Sequence, residues 1–406
     1  MVDFHQNGNT ATLHNLRTRG LEDLAYELET FAQSRKMSLI LPCLYSELET
    51  EAMPNILAES SKVTYLHRII IGLDKADADQ YRLARQFFKG LNQNHIVIWN
   101  DSPRMKELEA RLVGMGLAPT EAGKGKNVWT SMGYLIGCQD SAVMAIHDCD
   151  ILTYTNELLA RLIYPVANPT FPYQVAKGYY ARVGGEKLNG RVTRLLVSPL
   201  LIALKRVIGD RDYLDYLRSF RYPLSGEFAM RSSILPDLRM PSDWGLEVGV
   251  LSEAWRNLAP KAVCQVEIAD AYDHKHQDLS PEDAAHGLNR MSVDICKAIF
   301  RKLAADGTVF TPNTFRTLKA TYYRSALDLL EAYYTDAQMN GLKLDRHSEE
   351  ASIELFAENI MRAGQTFLEN PHETPFISTW NRVHSADPDF LRDMQAAVAA
   401  DAQDYQ

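Results

Sequence analysis

Val143-Met144-Ala145-Ile146-His147-Asp148-Cys149-Asp150 joins an apolar run to two carboxylates one residue apart. The run is strand-length and has no polar alternation, which marks a strand buried on both faces. Ser38-Leu39-Ile40-Leu41, a run expected to end at Pro42, Ile69-Ile70-Ile71-Gly72 and Ile96-Val97-Ile98-Trp99 repeat the pattern upstream. Between them, residues 80–91 and 105–115 carry helical spacing. Strands alternating with helices predict a mostly parallel sheet in an α/β fold. Ligands of such sheets bind beyond the carboxyl ends of the strands, which is where Asp148 and Asp150 fall. Two carboxylates held close repel each other, and a Mg²⁺ or Mn²⁺ ion is the usual reason to keep them together. A solvated turn capping the next helix explains so short a motif as readily.

Outward from this stretch the chain divides into four parts. Residues 1–35 read as an N-terminal helical segment, with Leu21, Leu24, Leu28 and Phe31 on one face. Residues 36–155 form a nucleotide-binding α/β half. Residues 156–280 hold further β-prone runs at 174–183, 229–230 and 263–268, with helical stretches at 191–208 and 246–257, and predict a mixed sheet built onto the first half. Residues 281–406 are helical in pattern, as at 320–339 and 350–368, and are punctuated by Pro312, Pro371, Pro375 and Pro388. The polar, Ala-rich residues 397–406 are expected to fray.

The chain has 406 residues, 46% of them hydrophobic, and a formal net charge of −9. A protein this negative is a poor partner for nucleic acid or an anionic membrane. The N-terminus lacks a signal-peptide pattern, and the longest apolar stretch, 195–204, is about half of what crosses a bilayer. The five cysteines, Cys43, Cys138, Cys149, Cys264 and Cys296, have no zinc spacing and are odd in number. Both features point to a reducing cytoplasm.

Four further features carry chemistry. Gly123-Lys124-Gly125-Lys126 precedes an apolar helical segment at 128–136, an arrangement suited to a phosphate or a nucleobase carbonyl, or else a plain surface turn. In Tyr272-Asp273-His274-Lys275-His276, one histidine could complete a metal site, while a lone surface histidine is commoner. His274 and His276 point to opposite sides of an extended segment, so at most one ligates. Lys177, Arg182, Lys187, Arg191 and Arg194 lie in a stretch with one acid, Glu186. In an acidic chain this excess suggests an anion site, with Gly190-Arg191-Val192-Thr193 at a helix start; a solvated basic face is the alternative. Finally, Gly226-Glu227 and Asp243-Trp244-Gly245-Leu246-Glu247 place acids beside glycine and an aromatic, as a sugar site does, although Glu247 would equally suit a helix dipole.

Taken in order, these motifs together with Leu41-Pro42-Cys43-Leu44 resemble the glucosyl-3-phosphoglycerate synthases, retaining glycosyltransferases of the GT-A fold, and more distantly the mannosylglycerate synthases. The resemblance spans roughly residues 38–280. It implies that Pro42, Cys43, Leu44, Glu47, Asp74, Lys124 and Cys149 surround the donor nucleotide. It implies that Asp148 and Asp150 bridge the ribose and a Mg²⁺ or Mn²⁺ ion, with His274 as the remaining protein ligand. Gly190, Arg191 and Thr193 would hold the acceptor's phosphate or carboxylate, and Glu247 would lie beside the transferring sugar. Asp150, Glu247 and Arg191 become the expected catalytic residues. The family pattern has Asn or Glu where this chain has Tyr45-Ser46, so donor-base contacts are expected to differ. The implied reaction moves glucose from UDP- or GDP-glucose to the C2 hydroxyl of 3-phosphoglycerate, in a cytoplasmic homodimer or larger homo-oligomer.

Four alternatives remain at this level. Glycerate could replace phosphoglycerate, or mannose could replace glucose. A nucleotidyltransferase needs a Gly-rich basic loop after its first strand, and residues 42–47 contain neither Gly nor Lys. A sugar-nucleotide sensor would not need Arg191 and Glu247 to converge on a second substrate.

Overall fold

The apolar runs found in the sequence lie inside one sheet covered on both faces, because side chains without a polar alternation leave no face for water. The computed structural model describes residues 6, 9–119, 121–274, 287–372 and 376–405. In chain order the first half contains β1 (Ala11–Leu13), α1 (Leu21–Ala32), β2 (Met37–Leu44), α2 (Ala52–Ser61), β3 (Leu66–Asp74), α3 (Ala78–Phe88), β4 (His95–Trp99), α4 (Pro103–Gly114), α5 (Lys124–Cys138), β5 (Val143–Ile146) and α6 (Asn156–Ala167). Then come β6 (Val175–Tyr180), β7 (Val183–Gly184), β8 (Lys187–Leu188), α7 (Ser198–Ile208), α8 (Asp212–Ser219), β9 (Phe228–Arg231), α9 (Leu246–Asn257) and β10 (Val263–Ala269). Five helices close the chain: α10 (Gly287–Ala305), α11 (Pro312–Met339), α12 (Arg346–Glu369), α13 (Trp380–Ala386) and α14 (Phe390–Asp404).

The main sheet has eight strands in the order β1-β10-β6-β9-β5-β2-β3-β4. Every neighbouring pair is parallel except those made by β9, which runs antiparallel to both β5 and β6. This is the mixed, mostly parallel sheet that the sequence predicts, with a helical C-terminal region attached. Successive side chains of a strand point to opposite faces. Leu39 and Leu41 of β2 therefore join the core beneath α1, α2, α3 and α6, whereas Ile40 joins the one beneath α4, α5 and the C-terminal helices.

Four expectations are corrected. The N-terminal segment read as helical also supplies β1, which adds to the sheet edge beside β10; three residues are too few for a periodicity to show. Pro42 does not end its strand, since β2 continues to Leu44. β5 pairs with β2 only as far as Ile40, so Pro42 lies where β2 has a neighbour on one side alone and a missing N–H is tolerated. The stretch read as one helix over 191–208 begins instead as a wide helical segment, Val192–Val197, before α7. Finally, residues 397–405 do not fray. Ala397, Val398 and Asp401 of α14 are buried, and Asp401 pairs with Arg104 of α4 at 2.7 Å.

Candidate active site

Strand ends deliver most of the site. A cavity of about 1180 Å³ opens beyond the carboxyl ends of β2, β3 and β5. Pro42, Cys43, Leu44 and Glu47 enter it from the end of β2 and the turn that follows, Asp74 from the end of β3, and Asp148, Cys149 and Asp150 from the segment after β5. Lys124 stands at the first turn of α5, and Glu247 at the first turn of α9. Gly190 and Arg191 line the same cavity.

His274 reaches this site through pairing that sequence does not reveal. The segment after β10 bridges the turn after β5 at Ile151 and His274, and the Leu152 N–H donates to the Asp273 carbonyl at 2.9 Å. His274 Nδ1 thereby lies 3.5 Å from Asp150 Oδ1. Asp148, Asp150 and His274 each offer a ligand atom within 4.8 Å of the other two. His276 lies outside the described residues.

Behind this group sits a buried polar network. Glu227, expected to face a sugar, is fully buried and does not line the cavity. Its carboxylate accepts from Tyr180 at 2.8 Å, Tyr272 at 2.7 Å and Ser225 at 2.9 Å. The Tyr180 and Tyr272 rings stack at 3.7 Å, which braces the chain just ahead of His274. Its neighbour Gly226 does line the cavity, and a methyl group there would overlap the Asp148 carboxylate.

The electrostatics centre on Lys124. Its ammonium lies 2.6 Å from Asp148 and 3.4 Å from Glu247. Burial opposes its charge, yet these two carboxylates hold its pKa well above the usual lysine value. For Asp148 burial alone would raise the pKa, and Lys124 reverses that to a lowered one. Glu47 makes no ion pair among the described residues, and the lowering influence of Lys124 on it is a minor one. Burial pushes it up to about 7, with Asp150 and Asp148 adding to the shift. Asp74 is likewise raised by burial, while the Asn100 amide donates to it at 2.7 Å.

The basic cluster divides. Lys177 is fully buried away from the cavity wall, donates to the Ser225 carbonyl, and is lowered to about 7 by burial. Arg182, Lys187, Arg191 and Arg194 line the cavity. Thr193 is buried and is not among the lining residues. Sequence reasoning missed the contributions of the C-terminal region. Arg290 and Met291 of α10 and Glu349 of α12 face the cavity, and Glu349 pairs with Arg194 from 155 residues away. A local pattern carries no signal for a contact at that separation.

Over 404 residues, spanning all of both chains, the sequence is 44% identical to the glucosyl-3-phosphoglycerate synthase of Persephonella marina. It is 37% identical to that of Methanococcoides burtonii over 409 residues, 100% of this chain and 99% of the relative. A crystal structure of glucosyl-3-phosphoglycerate synthase from Mycobacterium tuberculosis with Mn²⁺, UDP-glucose and phosphoglyceric acid has a TM-score of 0.54, at 21% identity, covering 73% of this chain and 88% of that one. The likeness shows that the fold is shared. No model of a protein family matches the sequence.

Proposed function

The chain belongs to the glucosyl-3-phosphoglycerate synthase family, and from that premise we propose how its cavity divides the reaction. The carrying observation is that one cavity is lined both by the Asp148–Asp150–His274 group with Lys124 and by Arg191. The first group receives the diphosphate of UDP-glucose, the donor bound in the M. tuberculosis structure. Arg191 and the loop at Gly190 receive the anionic end of 3-phosphoglycerate. Residues 36–155 serve as the donor half and 156–280 as the acceptor half, with helices of the C-terminal region closing over the latter.

The residues fit a hard divalent cation. Two carboxylates and an imidazole converge, and Asp150 Oδ1 is a buried oxygen with no hydrogen-bond partner among the described residues. When bound, Mg²⁺ or Mn²⁺ supplies Lewis-acid neutralisation of the leaving diphosphate. Lys124 adds a fixed positive charge beside it. Glu247, turned toward Lys124, orients the sugar. The bond from the anomeric carbon to the diphosphate oxygen breaks, and a bond to the C2 oxygen of phosphoglycerate forms on the same face. The acceptor proton passes to the departing diphosphate, so the α-configuration is retained.

A product assay tests this. UDP release should require phosphoglycerate and stop in EDTA, and Asp150→Ala should not recover with excess donor. Pyrophosphate release would instead identify a nucleotidyltransferase, and binding without turnover a sensor. NMR of the first product should show an α-linkage; a β-linkage refutes retention. No helix among the described residues is long and apolar enough to cross a membrane. That and the net charge of −9 support a cytoplasmic enzyme of small-molecule substrates, without a nucleic-acid or membrane partner. The homo-oligomer reading assigns the interface to the C-terminal helices, and light scattering decides it.

A further inference from the structure

We propose that Glu349, supplied by α12 from the C-terminal region, is a positioning residue for acceptor recognition. The proposal rests on the reading of Arg191 as an acceptor contact. Glu349 is 3% exposed, and one carboxylate serves two guanidinium groups: Oε1 accepts from Arg191 Nε at 2.9 Å, and Oε2 from Arg194 Nη1 at 2.8 Å.

The two arginines have different remaining capacity. Arg194 also donates to the Asn189 carbonyl at 2.8 Å and the Leu188 carbonyl at 3.2 Å, and its guanidinium lies over the Tyr333 ring. All three of its nitrogens are engaged, and it ties Glu349 to the backbone of the loop that carries Gly190. Gly190 itself has φ +74°, a conformation that suits glycine. Arg191 gives Nε to Glu349 and Nη2 to Ser348 Oγ at 3.4 Å. Its Nη1 makes no hydrogen bond among the described residues, and the side chain is 31% exposed at the cavity. A free arginine must surrender rotamer freedom to bind an anion. Glu349 removes that cost in advance by holding one edge of the guanidinium and leaving the other edge for the ligand.

A second contact fixes the segment just before α12 against the antiparallel hairpin of β7 and β8, which leads into that loop. The Lys343 N–H donates to the Glu186 carbonyl at 2.7 Å, Lys343 and Glu186 side chains pair at 2.7 Å, and Lys343 bridges Lys187. The Asp345 carboxylate caps the N-terminus of α12 through the His347 and Ser348 N–H groups, which sets the first turn where Glu349 lies. The C-terminal helices thus shape the acceptor side of the cavity.

Steady-state kinetics on the full chain, with saturating Mg²⁺, test the role. Glu349→Ala should raise the KM for 3-phosphoglycerate by about tenfold, while the KM for UDP-glucose and the kcat at saturating acceptor stay close to wild type. Glu349→Gln keeps an accepting oxygen for one arginine but sets an amide N–H against the other, so it should fall between, and it carries the test if the alanine variant does not fold. In an Arg191→Ala background, Glu349→Ala should add nothing further to the acceptor KM. An unchanged acceptor KM overturns the proposal, as does a parallel change in both KM values and kcat. A lowered acceptor KM also overturns it, because Glu349 would then be a counter-charge competing with the acceptor. Arg191→Ala alone separates the two levels. If it leaves the acceptor KM unmoved, the acceptor reading fails; if it raises that KM while Glu349→Ala does not, only the positioning role fails.

Discussion

At Glu47 the carboxylate accepts from the Leu44 N–H at 2.8 Å, yet burial pushes its pKa from 4.5 up to about 7. The folded chain therefore holds this proton at pH values where an unfolded glutamate has lost it. The contribution of Glu47 to stability is fully present below about 4.5 and is lost as pH rises through about 7. Glu47→Gln removes the titration. Urea unfolding in EDTA should show the variant gaining stability relative to wild type between about pH 5 and about pH 8; a pH-independent difference would mean that burial does not govern this carboxyl. Arg191 carries the acceptor prediction. Losing one charge-assisted contact typically costs about 1.5–3 kcal/mol, or roughly ten- to a hundredfold in binding. Arg191→Ala should accordingly erase most of the preference for 3-phosphoglycerate over glycerate, measured as a ratio of kcat/KM values, and leave the UDP-glucose KM in place. Equal weakening of donor and acceptor would remove Arg191 from the acceptor site.

Among the elements, α5 links core to cavity. It is buried along most of its length and presents Lys124 at its first turn. Asn127, one turn on, donates to the Gly72 carbonyl of β3 at 2.7 Å, and a methyl group at Gly72 would overlap that amide. The close approach makes glycine a requirement of packing here. Gly72→Ala should cost roughly 1–3 kcal/mol by overpacking, read by denaturant unfolding, with turnover falling as Lys124 moves; unchanged stability would show that β3 and α5 can separate freely. From the other side α13 braces the same helix, with Trp380 stacked on Trp129 at 4.0 Å and each indole N–H donating to a backbone carbonyl. Trp380→Ala should cost about 3–5 kcal/mol, seen in the same experiment. Little change would place α13 outside the cooperative core.

Across the whole molecule the chain closes on itself. Arg104 of α4 pairs with both Asp401 and Asp404, and Tyr405 meets Tyr81 and Trp99 beside β4. Deleting residues 397–406 should therefore lower the unfolding midpoint by several degrees, whereas a frayed tail would leave it untouched; calorimetry distinguishes the two. The sequence alone determined the alternation of long strands and helices in the α/β half, though not the three-residue β1, because apolar periodicity is local and survives without a partner. Val143–Ile146, Leu246–Asn257 and the placement of Asp148 and Asp150 after a buried strand were all legible in this way. The family followed from motifs read in order. Tertiary structure decided what pairwise proximity controls. It drew His274 to Asp150 through a bridge at Ile151, sank Lys177 and Glu227 behind the cavity, and set Glu349 between Arg191 and Arg194. Each of these depends on residues distant in the chain, and side-chain type alone does not reveal whether a charge will face a ligand or a partner of its own.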